Sequence, residues 1–241
     1  MTGGDVRPIF YARPSGERLS LNARPRLASW NATSHPDQVR LRVALEDARA
    51  LLHPSITSTA GPLALAVDVG LPVNVPLLDE HDLDNYAFPM AAHLSRSESR
   101  PFAAVWCSKR HGPASFVGVG PAEPVATPVG ALISVDVDTT ASASTPEYKQ
   151  EIADQLASFE QLPEGPVSLE LAFAVGPSRN WLNLWKPTID SLESLLGRTG
   201  PDRSWHPRDG RIVDLGLHCI VDSELQNRVA ITIWAVSLPR A

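Results

Sequence analysis

The chain has little that would place it in a membrane or in a disulfide-bonded secreted class. In its 241 residues no apolar run approaches the roughly 20 residues a spanning helix needs. The N-terminus also lacks a basic stretch followed by an apolar core. Neither a membrane segment nor a signal peptide is expected, and a soluble, cytoplasmic protein is. Only two cysteines occur, Cys107 and Cys219, in matching late strands of the two halves, where they read as small buried hydrophobes rather than a disulfide. A Gly-rich phosphate loop, a nucleophile elbow and a paired-cysteine zinc pattern are all missing, which removes the chemistries those motifs serve. The seven histidines show no metal-ligand spacing and read as surface or satisfied core residues. His81 is the exception, because it abuts an acidic pair and could serve as base or ligand. Excess positive charge is missing as well. The net charge is −6, so any basic face for phosphates must be local. Basic residues gather at Arg13, Arg18, Arg24, Arg26, Arg40 and Arg42, and at Arg96, Arg100, Lys109 and Arg110, although a solvated face is the commoner reason for such runs.

What the chain does have is a phrase written twice. Asp82-Leu83-Asp84-Asn85-Tyr86-Ala87-Phe88-Pro89 in the first half parallels Trp181-Leu182-Asn183-Leu184-Trp185-Lys186-Pro187 in the second. Each follows an alternating apolar run opened by Gly-Pro, at Gly61-Pro62 and at Gly165-Pro166. A period this long argues for two similar domains, 1–125 and 126–241, rather than a solenoid. The proline-rich Gly120 to Gly130 is the natural linker.

Periodicity then predicts the elements. In the first half these are a strand over Val6 to Ala12, a helix over Asp37 to Leu52, a strand over Leu63 to Val69, a helix from Asp84 to Leu94, and a closing strand pair over Phe102 to Cys107 and Ser115 to Val119. In the second they are a strand over Ala131 to Asp138, a helix over Pro146 to Leu162, a strand over Val167 to Val175, a helix over Leu182 to Leu196, and a closing pair over Arg211 to Ile220 and Arg228 to Val236. Strand, helix, strand, helix, strand, strand in each half describes an α/β (α+β) fold, a small mixed sheet covered by helices.

Asp79, Glu80, Asp82 and Asp84 crowd the loop before the second helix. If that stretch is extended, Asp82 and Asp84 point the same way, at a spacing suited to one hard divalent cation. The competing reading is helix capping and dipole complementation. Trp181, Trp185 and Trp205 flank the second copy and could stack bases, with core packing the other role open to Trp185.

Together these residues resemble the RusA-type Holliday junction resolvases. That family shares a pattern close to Asp-Leu-Asp-Asn-x-x-Lys-Pro-x-x-Asp-Ala-Leu, followed by an Asp-Asp-x-x-Ile segment entering a strand. The resemblance implies small dimeric domains, here two tandem copies forming a pseudo-dimer, and a Mg-dependent endonuclease for branched DNA. Residue by residue, Asp82, Asp84 and Asn85 match in the first copy, while Phe88 and Ala92 replace the lysine and the helix aspartate. In the second, Lys186, Asp190 and Asp209 match and Asn183 keeps the helix-opening asparagine, while Asn180, Leu182 and Arg208 replace acids. The implied catalytic set is Asp82, Asp84, Lys186 and Asp209, with Asp82, Asp84 and Asp209 as Mg ligands and Asn85, Asn183 and Asp190 in binding roles.

Two histories fit such complementary losses: a composite site pooling both copies, or decay into a module that binds nucleic acid or a protein partner without cutting. An interaction subunit with a protein partner only is the third reading, favoured by the acidic balance.

Overall fold

The computed structural model describes residues 6–25, 35–200 and 202–239. The protein is mixed α+β, with a large mixed sheet and helices. It divides into two compact units. The first comprises Tyr11–Pro124 with Val213–Gly216; the second draws its described residues from Met1–Phe10, Val125–Ile212 and Leu217–Ala241.

The strand expected over Val6 to Ala12 is reduced to β1, Phe10–Tyr11, which pairs with β6, Pro124–Val125, in a separate two-stranded sheet. The first unit continues with β2 (Leu19–Ser20), α1 (Pro36–Ser58), β3 (Leu63–Leu71), α2 (Asp84–Ser97), β4 (Phe102–His111) and β5 (Phe116–Pro121). Helix α1 opens on His35, whose side chain accepts from the Asp37 amide, with Pro36 in its first turn. It runs six residues beyond Leu52 and through Pro54. An interior proline costs about 3 kcal/mol. Burying an aliphatic side chain returns roughly 1.5–3 kcal/mol, and the apolar stripe of Leu45, Ala48, Leu52 and Ile56 continues past the proline. Thr57 also donates its hydroxyl to the His53 carbonyl at 2.8 Å.

The strands of this unit lie in the order β2-β5-β3-β4, with β3 parallel to β4 and antiparallel to β5. The two closing strands therefore do not pair with each other. They flank β3, all nine of whose residues are buried, because a strand with no polar edge to spare is best placed between two others. Helices α1 and α2 pack together and against β5 and β4 respectively.

The second unit contains β7 (Ile133–Thr139), α3 (Pro146–Leu156), β8 (Val167–Val175), a 3-10 turn over Trp181–Leu184, α4 (Trp185–Asp190), α5 (Glu193–Leu196), β9 (Ile212–Val221) and β10 (Val229–Ser237). Its strand order is β9-β8-β10-β7, with β10 antiparallel to both neighbours. Again the closing strands flank a central strand, β8, buried along its whole length. The helix expected over Pro146 to Leu162 stops at Leu156, and the chain returns so that the Leu162 amide donates to the Leu195 carbonyl at 2.9 Å. The helix expected over Leu182 to Leu196 is broken into three pieces, with Leu192 outside helical geometry at φ −87°, ψ 23°.

Each unit thus carries strand, helix, strand, helix, strand, strand, and orders its strands edge, fourth, second, third. Finer details recur. Arg100, just before β4, donates to the carbonyl of Gly61 at 2.7 Å, to Thr59 at 2.8 Å and to Ile56. Arg211, just before β9, donates to the carbonyl of Gly165 at 3.0 Å, to Leu196 at 2.9 Å and to Pro163. Both glycines have positive φ, 72° and 129°. Each unit also places a glycine at the end of its central strand beneath the loop joining its closing strands. A Cβ on Gly70 would stand 2.1 Å from the Ala114 carbonyl oxygen, and one on Gly176 1.9 Å from that of Gln226.

Candidate metal site

The chain reaches Asp82 through a loop held from the sheet. Lys109, on β4 and 4 % exposed, donates its ammonium protons to the carbonyls of Glu80 at 2.9 Å and His81 at 3.0 Å. His81 adopts left-handed backbone geometry, φ 64°, which a non-glycine residue takes only where its surroundings impose it. Its Nδ1 lies 2.6 Å from the Tyr86 hydroxyl. Burial, with the Lys109 charge adding to it, lowers the imidazole pKa, against the opposing pull of Glu80 and Asp82.

Asp82 precedes α2 and Asp84 is its first residue. The segment is not extended: Leu83, between them, is helical at φ −68°, ψ −31°, so a turn and not strand alternation sets the two carboxylates. Leu83 occupies the N-cap position without a side-chain capping bond. Asp84 is buried, at 4 % exposure, in the first turn where the helix dipole favours negative charge. Asn85 braces Asp82 twice, its amide donating to the Asp82 carbonyl at 3.2 Å and its side chain to the carboxylate at 3.3 Å. The same turn appears in the second unit, where the Asn183 amide donates to the Asn180 carbonyl at 3.1 Å. There Asn180 itself caps the 3-10 turn, accepting from the Leu182 amide.

Asp209 opens the 3-10 turn that leads into β9. Lys186 lies 2.8 Å from it and 3.0 Å from Asp190, one helical turn away, and Lys149 on α3 lies 3.5 Å from Asp190. The result is an alternating row, Lys149, Asp190, Lys186, Asp209.

Within the first unit, Asp82 and Asp84 offer carboxylate oxygens within 4.8 Å of one another, close enough to share a metal ion. The donors are all oxygen and all anionic, which suits a hard divalent cation. Oxygens on opposite sides of Mg²⁺ stand about 4.2 Å apart and around Ca²⁺ about 4.8 Å, so the spacing admits either and selects neither.

Trp181 and Trp185 of the second unit are core residues, and Trp205 is partly buried. Trp185 is 1 % and Trp181 9 % exposed, packed edge to face with ring centres 4.9 Å apart. Trp205 lies beneath the Lys149 ammonium, 5.5 Å from ring centre. Both cysteines are free and buried; burial raises their thiol pKa values, that of Cys219 to about 12. Two features are not visible in the sequence pattern. One is the Lys109 anchor, which depends on the backbone carbonyls of Glu80 and His81. The other is a buried pair in the second unit, His218 with Glu170, 3.2 Å apart, with the Phe10 ring 5.3 Å from the imidazole.

No protein-family model matches the chain, and a search of curated proteins returns no match either. No helix among the described residues is long and apolar enough to cross a membrane.

Proposed function

We propose that the protein is a RusA-like, divalent-metal-dependent endonuclease acting on branched DNA, built from two tandem copies of one domain that act as a pseudo-dimer. The observation that carries this reading is the pairing of Asp82 with Asp84 in the first unit, their carboxylate oxygens within 4.8 Å of one another; in the second unit Lys186 lies on Asp209 at 2.8 Å. Neither copy holds a full acidic set. The duplication is supported by the common strand order, by the Arg100 and Arg211 clamps on the Gly-Pro carbonyls, and by the shared turn at Asn85 and Asn183.

In this reading Asp82 and Asp84 hold the cation, Mg²⁺ in the proposed reaction. A bound divalent cation supplies Lewis-acid polarisation of a phosphodiester and lowers the pKa of water. Asn85 fixes the Asp82 carboxylate. Lys186 neutralises part of the acidic charge at rest and stabilises negative charge developing on the phosphate. Asp190 keeps Lys186 on the Asp209 side of its helix. The net charge of −6 makes DNA binding depend on local basic residues, so affinity should fall steeply with salt. Salt-dependent preference for a four-way junction over linear duplex, followed by Mg²⁺-dependent cleavage, is the expected outcome. Failure to bind either DNA would turn the reading toward a protein partner.

A further inference from the structure

Lys109 is tied by its surroundings to the loop that carries Asp82 and Asp84. It lies on β4 opposite Val69 of β3, almost fully buried, where an ammonium is costly to place unless strongly hydrogen-bonded. Two of its bonds go to consecutive backbone carbonyls, those of Glu80 and His81. A lysine is unusual support for a loop, since neutral donors cost less to bury. Charge-assisted bonds are roughly twice as strong as neutral ones, and the loop they hold contains a strained residue. His81, at φ 64°, reverses the chain one residue before Asp82. The Tyr86 hydroxyl, from the first turn of α2, holds the His81 ring from the other side at 2.6 Å. Strand and helix therefore grip one peptide segment, and that segment presents Asp82 and Asp84.

We propose that Lys109 is a positioning residue for the metal site: by holding the Glu80 and His81 carbonyls it keeps the loop in the one conformation that directs the Asp82 and Asp84 carboxylates toward a shared cation. The inference rests on the metal-site reading above. Two carboxylates brought together without a fixed backbone would repel one another apart, and a cation would have to reassemble them at the cost of its own affinity. With the loop held, that ordering is already done.

The test uses the full chain and Mn²⁺ as probe, with affinity read from the Mn²⁺ electron paramagnetic resonance signal. Amide hydrogen exchange is followed in the metal-free protein. Lys109→Met should weaken Mn²⁺ binding about ten- to hundredfold and speed exchange at 80–84 while β3 and β8 stay protected. Lys109→Arg, which keeps donors on the carbonyls, should recover most of the affinity. Tyr86→Phe removes only the second grip and should weaken binding by a few-fold, so it decides the matter if Lys109→Met does not fold. Wild-type protein that binds Mn²⁺, with Lys109→Met or Tyr86→Phe binding it equally well, overturns the role of Lys109 and leaves the metal site standing. Wild-type protein that binds no Mn²⁺ overturns both.

Discussion

Lys186 sits 2.8 Å from Asp209 and 3.0 Å from Asp190, so one half-exposed ammonium is shared by two carboxylates. A half-exposed ammonium contributes about 0–1 kcal/mol through such pairs, and on the proposed reading the lysine places positive charge at Asp209.

Lys186→Met should accordingly leave unfolding free energy within about 1 kcal/mol of wild type. Mn²⁺ affinity should hold, because Asp82 and Asp84 keep their carboxylates. DNA cleavage should fall about 10²-fold or more if the lysine stabilises developing charge. Loss of metal binding along with cleavage would show that Lys186 orders the site instead.

The two arginine clamps should differ in cost. Arg211 is fully buried and serves three carbonyls; in Arg211→Met those of Gly165 and Leu196 would lose this donor, while that of Pro163 keeps the Ser237 hydroxyl at 3.3 Å. Orphaned buried acceptors cost about 1–3 kcal/mol apiece, so a loss of at least about 2 kcal/mol is expected in urea unfolding. Arg100→Met, at a more exposed site, should cost less. Equal or reversed costs would count against the comparison between the units.

Stability should also depend on His218. Burial lowers its pKa, partly offset by the hydrogen bond to Glu170, so the folded state binds its proton less readily than the unfolded chain. Its contribution is then fully present above the unfolded value near 6.5 and is lost as pH falls through that value toward the folded one. Between pH 7.5 and 5.5, wild type should lose more unfolding free energy than His218→Gln. Equal losses would mean that His218 does not govern this window.

Much of the fold is legible in the sequence, for physical reasons that also mark where legibility stops. The alternating run from Leu63 and the run from Val167 begin β3 and β8 where periodicity puts them, and Gly61 and Gly165 mark their entries. Periodicity says that a segment is a strand and not which strands adjoin it. The closing strands, neighbours in sequence, were expected to pair, and instead β3 and β8 stand between them. Helix ends were lost to tertiary effects: α1 crosses Pro54 because Ile56 is buried, and α3 ends early because Leu162 bonds to Leu195. The residue types of Asp82, Asp84, Lys186 and Asp209 can be read from their motifs. The turn at Leu83 and the Lys109 anchor cannot, since both depend on backbone geometry that spacing does not encode.

The most direct measurement is cleavage of a four-way DNA junction by wild-type protein and by Asp82→Asn in the presence of Mg²⁺. Wild type should cut, and Asp82→Asn should bind the junction with similar affinity and not cut, because losing one carboxylate weakens the metal more than the phosphate-contacting surface. Wild-type protein that binds the junction but leaves it intact with both Mg²⁺ and Mn²⁺ would contradict the proposed activity and establish a binding module in its place.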